Sequence, residues 1–303
     1  KIKQIKIKNL QHSLGFKDVL VAKELLALHK KIKPDVVHLH SSKIGILGRL
    51  AFPSAKIIYT IHGFDSIRVQ HRKFLFLEKI LQHRCAAIVG VSNYDFENLK
   101  AEGITNNIHV IHNGIRDFAQ YQTLSDDPFK NFRKNEETKV VLSISRLAPP
   151  KRFDVFCKVA ESLSQENVVF LWIGNKKNDK NIPKNVFLLG EIKDAFYYYK
   201  FADVAALFSN YEGLPMSLIE ALCFSKPIIA TNVGGISELI NENGALFLSS
   251  DLDEIAKSVT FMLNNQNIYN KFAKKSRMIF EERFNVDEMY NKYSELYSLI
   301  AKK

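Results

Sequence analysis

The stretch DVAALFSNYEGLPMSLIEALCFSKPIIAT, residues 203 to 231, decides how the rest of the chain is read. It opens on a short apolar run with no polar alternation, the pattern of a strand buried on both faces. A polar loop with Gly213 and Pro215 follows. PMSLIEALCFS then carries helical apolar spacing, and KPIIAT is a second short apolar run. Strand, loop, helix and strand make one βαβ unit, and such units build a parallel sheet with helices on both faces. Ligands of these sheets bind beyond the carboxyl ends of the strands. The loop before Pro215 stands at such an end.

The residues of this loop suit an anion. Gly213 permits close backbone approach to a ligand. Pro215 fits a first helical position because it has no N–H to leave unpaired. The amides of Met216, Ser217 and Leu218 are then expected to be free at the positive end of the helix dipole. Glu212 lies in the loop. Glu220 lies about a turn and a half into the helix, within reach of a neutral polar group such as a ribose diol. A capped helix with a solvated glutamate is the plain structural alternative.

The same strand–loop pattern recurs outward from this unit. KVVLSIS is a strand and runs into SRLAPPKRFD, residues 145 to 154. There Arg146 and Lys151 flank a proline-rich turn before a helix. A guanidinium fork and an ammonium point charge together suit a diphosphate; two solvated surface cations are the alternative. Earlier, TIHGFD ends a strand on His62, and His38 and His40 share one face of the strand DVVHLH. Three histidines at strand ends raise the question of zinc. No carboxylate or cysteine completes a ligand spacing, so no metal is expected.

The remaining alternation predicts two doubly wound domains in tandem. In the first, KIKQIKIK, DVVHLH, KIIYTIHG, AAIVGVS and IHVIHNGI read as strands. DVLVAKELLALHKKIK, SKIGILGRLA, HRKFLFLEKILQHR and NYDFENLKAEG read as helices, the last closed by Gly103. Residues 118 to 137 lose periodicity and read as a linker. In the second, RFDVFCKVAESLSQ and DAFYYYKFA are helices, VVFLWIG, NVFLLG and GALFL are strands, SELI is one helical turn, and three helices end the chain. The boundaries expected are 1–117, a linker at 118–137, 138–283, and a terminal helix at 284–303.

Composition agrees with two globular domains: 303 residues, 46% apolar and 25% charged. The apolar runs are strand-length, so no membrane span is expected. Three scattered cysteines argue against a disulfide framework and fit a reducing cytoplasm. The net charge of +11 is uneven, with +10 and all nine histidines in the first 120 residues. A basic half attracts phosphates, anionic headgroups or nucleic acid.

These motifs together resemble the retaining family 4 glycosyltransferases of the GT-B fold, most closely those of bacterial capsule and exopolysaccharide synthesis. EGLPMSLIE matches the E-x(7)-E motif, Arg146 and Lys151 the R-x(4)-K pair, and HGFD the first-domain histidine motif. VSN, VIHNGI and ATNVGGISELI resemble further family segments, and the likeness covers nearly the whole chain. It implies two Rossmann-like domains facing a cleft, with FNVDEMYNKYSELYSLI as a terminal helix crossing back to the first. It implies that Arg146 and Lys151 hold a donor diphosphate, aided by the amides of Met216, Ser217 and Leu218. Glu220 would bind the ribose, and Glu212 with Gly213, Leu214 and Pro215 the sugar. Gly190, Glu191 and Ile192 would present backbone groups to the base, and His62 would face the sugar and diphosphate.

The resemblance further implies a metal-independent, retaining hexosyltransferase with no cofactor, its nucleotide sugar (UDP in the first instance) being a substrate. The acceptor would be lipid-linked or an oligosaccharide. The expected place is the cytoplasm, with peripheral contact to the anionic inner membrane face. An acceptor phosphate is expected at Ser41, Ser42 and Lys43, which open a short helix, with Arg49 two turns on. Two departures stand out. WIGNKKNDKN keeps Gly174 but lacks the second glycine of the family's Gly-x-Gly. The first domain is short and begins at Lys1, so an opening βα segment is expected to be missing and KIKQIKIK to be an edge strand. A sugar-nucleotide epimerase on the same fold, a nucleic-acid-binding module, and a glycosidase using Glu212 and Glu220 are the competing readings.

Overall fold

Short runs rich in valine and isoleucine form both sheets, as β-branched side chains fill a surface buried on two faces. The computed structural model describes residues 2–11, 15–121, 125–174, 182–248 and 251–302. It divides into two units, Lys1–Ile111 with Tyr290–Lys303, and His112–Met289.

In the first unit, β1 (Val37–His40), β2 (Ile57–Ile61), β3 (Ala87–Gly90) and β4 (Ile108–Val110) are parallel and adjacent in that order. Every residue of β2 and β3 is buried. The helices are α1 (Lys17–Ile32), α2 (Ser42–Ala51), α3 (Leu75–Leu81) and α4 (Asn93–Ala101). Helix α2 lies close on the sheet because Gly45 has no side chain: a Cβ there would stand 2.3 Å from the Tyr59 ring. Ser92 caps α4 by accepting from the Asp95 amide at 3.0 Å. The buried Asp95 carboxylate in turn accepts from the Phe64 amide at 2.7 Å, fixing the turn that follows His62.

In the second unit the strands are β5 (Lys139–Ile144), β6 (Val168–Ile173), β7 (Val186–Leu188), β8 (Val204–Leu207), β9 (Ile228–Thr231) and β10 (Gly244–Phe247). All pair in parallel, in the order β10-β9-β8-β5-β6-β7. The order reverses between β5 and β8, so their outgoing loops flank a switch point. Helices α5 (Phe153–Ser162), α6 (Met216–Cys223), α7 (Leu252–Asn264) and α8 (Gln266–Ile279) belong to this unit. Trp172, Phe156, Phe170 and Val259 are among the residues of its core. The last helix, α9 (Val286–Ala301), begins in the second unit and ends in the first. There Tyr297 meets His38 Nδ1 at 2.7 Å and Tyr293 meets Thr60 at 3.0 Å.

Several elements differ from the sequence expectation. KIKQIKIK forms no strand over its described residues 2–8. The Lys8 amide instead points to the Glu24 carboxylate of α1 at 3.3 Å, and Ile7 packs on the core, so the segment follows a helix rather than a sheet edge. The helix expected over HRKFLFLEKILQHR is α-helical only from Leu75 to Leu81, flanked by 3-10 turns. DAFYYYKFA is a 3-10 helix over Ala195–Phe201. Its rings are drawn to separate partners, Phe196 to Phe118 and Tyr198 to Phe129. SELI lies at the end of a 3-10 turn, Gly234–Glu238. The division between units falls before the expected linker. Ile115 exchanges backbone bonds with Phe284 and Val286, which ties this segment to the second unit. Part of the expected linker (122–124) and the variant glycine loop after Gly174 (175–181) lie outside the described residues.

Candidate active site

The loops after β5 and β8 meet through one ion pair. Lys151 Nζ contacts Glu212 Oε1, and Ser209 Oγ donates to the same oxygen. Both charged side chains are largely buried, at 13% and 12% exposure. The backbone holds this geometry, since Lys151 and Ser209 form an isolated antiparallel bridge. Thr231 at the end of β9 completes the brace: its hydroxyl accepts from the Ser209 amide at 2.9 Å and donates to the Ser209 carbonyl at 3.0 Å. Three successive strand ends therefore converge on the Glu212 carboxylate.

Gly234 sets the loop from below. Its φ is +59°, and a Cβ there would sit 1.9 Å from the Glu212 carbonyl oxygen. The next amide, that of Gly235, donates to the Gly213 carbonyl at 2.8 Å. The glycine pair is thus a close-packed seat for the Glu212–Gly213 backbone, and no side chain fits at Gly234.

Arg146 is exposed and lines a cavity of about 480 Å3 with Ser145, Gly174, Glu191, Ile192 and Lys193. This cavity lies at the ends of β5 and β6, beside the Lys151 loop. It brings together three of the residues singled out by sequence, Arg146, Glu191 and Ile192. Gly190 is placed by its carbonyl, which accepts from the Gly174 amide at 2.8 Å.

Helix α6 needs two corrections. Pro215 is the cap (φ −70°, ψ 120°) rather than the first helical residue, which is Met216. The Leu218 amide is not free: it donates to the Pro215 carbonyl at 3.2 Å. The tight first turn uses that donor, which leaves the amides of Met216 and Ser217 as the candidates for an anion. Leu214 and Pro215 are buried, whereas Met216 is exposed.

Burial pushes the Glu220 carboxyl up to about 7. Its native form therefore holds its proton well above the ordinary 4.5, and the sign of the linkage follows. The contribution of Glu220 to stability is greatest below pH 4.5 and falls as pH rises through 7, where the buried group must ionise. Glu220→Gln removes that cost. The variant should match the parent near pH 4 and exceed it by about 2 kcal/mol at pH 8, allowing for partial solvation. Denaturant melts at the two pH values check this; equal stability at pH 8 would remove the buried-carboxylate account.

In the first unit, His62 follows β2 and its Nε2 lies 2.9 Å from His40 Nδ1. Burial, and next the repulsion of a charged His40, hold the His62 imidazole below its usual range. His38 is lower still, at about 4, chiefly through burial. Its Nε2 meets Thr60 Oγ1 at 2.7 Å. Among the described residues no group of three or more His, Cys, Asp or Glu is arranged to hold a metal.

The acceptor-phosphate expectation is corrected at Arg49. This side chain is fully buried, donating to Glu78 at 2.6 Å and to the Gly45 carbonyl at 2.9 Å, with its guanidinium over the Tyr59 ring. It presents no charge to a ligand in solvent. Lys43 is engaged by Asp18 at 2.6 Å and by the Gln11 carbonyl at 2.8 Å. Ser41 (φ +71°) and Ser42 are exposed at the start of α2.

Sequence reasoning gave no role to Ser209, Thr231 and Gly234. Each lies at or just beyond a strand end of the second sheet, but what it supports is a loop distant in sequence, and that partner is not visible locally.

With this geometry in view, the comparisons with known proteins identify the class. Residues 125–278 match the family described as "Glycosyl transferases group 1", and residues 5–117 match "Glycosyltransferase Family 4". The chain belongs to these glycosyltransferases. Two relatives illustrate the range. The Escherichia coli UDP-Gal:alpha-D-GlcNAc-diphosphoundecaprenol alpha-1,3-galactosyltransferase is 29% identical over 93% of this chain and 79% of its own. The Staphylococcus aureus capsular polysaccharide biosynthesis glycosyltransferase CapM is 24% identical over 95% and 83%.

Among solved structures, sucrose-phosphate synthase from Thermosynechococcus elongatus aligns with TM-score 0.82 and 19% identity, covering 95% of this chain and 79% of its own. Anabaena HepE in complex with UDP aligns with TM-score 0.79 and 20% identity, covering 92% and 82%. The fold is GT-B. Among the described residues no helix is long and apolar enough to cross a membrane.

Proposed function

We propose that the chain transfers a hexose, with retention of anomeric configuration, from a nucleotide-diphosphate sugar to a lipid-linked saccharide in bacterial surface polysaccharide synthesis. The observation that carries this is the Lys151–Glu212 pair, braced by Ser209 and flanked by Arg146 at the switch point of the second sheet. The E. coli relative is named for a UDP-linked donor and a diphosphoundecaprenol acceptor, and HepE is described bound to UDP, which favours UDP and a lipid-linked acceptor here.

The mechanism follows from charge. The bond between the anomeric carbon and the donor phosphate breaks, and its electron pair goes to the diphosphate. Arg146, Lys151 and the amides of Met216 and Ser217 stabilise that anion. Because these donors already meet the charge, transfer is proposed to need no divalent cation. The acceptor oxygen attacks the anomeric carbon from the face the diphosphate leaves, and its proton passes to the departing phosphate oxygen. Glu212 and the Gly213–Leu214–Pro215 backbone hold the sugar, Glu220 accepts from the ribose hydroxyls, and Gly190 to Ile192 face the base. His62 contacts the sugar substrate. Nucleotide binding calls for the ionised form of Glu220, so affinity should rise between pH 6 and pH 8.

The proposal is tested by incubating the chain with UDP-hexoses and an undecaprenyl-diphosphate saccharide, with EDTA present. Product of retained configuration is expected. Inversion, or activity only after magnesium is restored, would contradict the mechanism.

A further inference from the structure

Three histidines form a row on one face of the first sheet, and the strand register explains why they meet. β1 and β2 pair with His38 opposite Ile58 and His40 opposite Thr60. Alternate residues of a strand share a face, so His38 and His40 lie with Thr60, and with His62 where the chain runs on from β2. Each histidine of β1 then reaches the residue two places beyond its partner. His38 Nε2 meets Thr60 Oγ1 at 2.7 Å, and His40 Nδ1 meets His62 Nε2 at 2.9 Å.

Helix α9 locks the far end of the row. Its Tyr297 meets His38 Nδ1 at 2.7 Å, its Tyr293 meets Thr60 at 3.0 Å, and the Tyr293 ring stands 5.1 Å from the His38 ring. With both nitrogens engaged, the His38 imidazole is fixed and forms a wall for the His40 ring, at 4.0 Å between centroids. His40 is therefore packed on one side and bonded on the other. Partial burial is the main cause that holds all three imidazoles below their usual range, so the row is neutral near pH 7.

A neutral pair joined through two ring nitrogens shares one hydrogen, and the bond made at one nitrogen of an imidazole sets the proton at the other. When His40 Nδ1 donates, His62 Nε2 accepts and His62 Nδ1 carries a hydrogen of its own. That nitrogen has no partner among the described residues, and His62 keeps accessible surface. Resting on the glycosyltransferase reading, the ligand that meets His62 carries a diphosphate, whose oxygens only accept. A bare ring nitrogen would repel them, so the Nδ1–H form is the one that serves.

We propose that His40 is a positioning residue for His62: it donates through Nδ1, holds the ring, and fixes the Nδ1–H tautomer that His62 offers to a substrate oxygen. His40 acts through His62 and touches no substrate in this account. Tyr293 and Tyr297 contribute by fixing His38 behind it.

The test uses the full chain with isotope-labelled histidine, since imidazole nitrogen NMR tells a protonated nitrogen from a bare one. The His62 signals are those lost in His62→Gln. The parent should carry hydrogen on His62 Nδ1. His40→Leu keeps bulk but no donor; it should shift His62 toward the Nε2–H form and lower turnover at least about tenfold, toward the roughly 10²-fold that a misplaced group costs. His40→Asn keeps an N–H donor near the place of Nδ1 and should recover most of that turnover. Hydrogen on His62 Nε2 in the parent would overturn the proposal. So would a His62 tautomer indifferent to His40→Leu, or undiminished turnover in that variant. The thermal shift given by UDP should persist in both His40 variants, because groups of the second unit supply it. Its absence from the parent, with the tautomer still governed by His40, would count instead against the donor site.

Discussion

Lys151→Ala is expected to lower turnover by about 10²–10³-fold while leaving the chain folded. The ammonium is fixed by the bridge to Ser209 and by Glu212, so it reaches a departing diphosphate without reorganising solvent. That fixed charge is strongest where water is scarce, and the side chain is only 13% exposed. The alanine variant loses this stabilisation and leaves the Glu212 carboxylate held by the Ser209 hydroxyl without its ammonium partner. Release of nucleoside diphosphate from the nucleotide sugar gives the rate, and a thermal melt shows whether the fold survives. Turnover close to that of the parent would mean that Lys151 does not meet the leaving group.

Gly234→Ala is expected to cost about 10²-fold in turnover, although the residue touches no substrate in this account. The new methyl group cannot stand 1.9 Å from the Glu212 carbonyl oxygen, and a φ of +59° strains any L side chain. The Glu212–Gly213 backbone must move, and with it the carboxylate and the start of α6. A displacement near 1 Å suffices for a loss of this size. Nucleotide affinity should fall less than turnover, because Arg146 and the Gly190 to Ile192 backbone stand on other segments. Kinetics with nucleotide titration separates the two effects. A variant with unchanged turnover would show that the loop tolerates displacement.

The second unit was legible because its chemistry follows its strands. Arg146, Lys151, Glu212 and Glu220 each fall at a spacing that βαβ periodicity explains, and the structure brings Lys151 and Glu212 into contact. What escaped was the support beneath them. Ser209, Thr231 and Gly234 act through hydrogen bonds and close approach between loops distant in sequence, which no local pattern encodes.

The first unit was less legible where charge alone was the guide. Arg49 looked available on helical spacing, but two glycines let α2 sink onto the sheet, and the guanidinium went under with it. KIKQIKIK alternates from Gln4 to Lys8, yet period two makes a strand only where a neighbouring strand offers backbone partners. Among the described residues that segment has a helix instead. The short 3-10 stretch at Ala195–Phe201 has the same lesson: ring packing overrode helical spacing.

The central claim is that the second unit holds a nucleotide diphosphate through Arg146, Lys151 and Glu220 without a metal. Thermal melting with UDP, GDP and ADP, each with EDTA, for the parent chain and for Glu220→Ala tests it most directly. The account predicts that one nucleotide, at a hundred times its dissociation constant, stabilises the parent by about 2.7 kcal/mol, and that the variant loses most of that shift. No shift with any nucleotide, or a shift undiminished in Glu220→Ala, would contradict it.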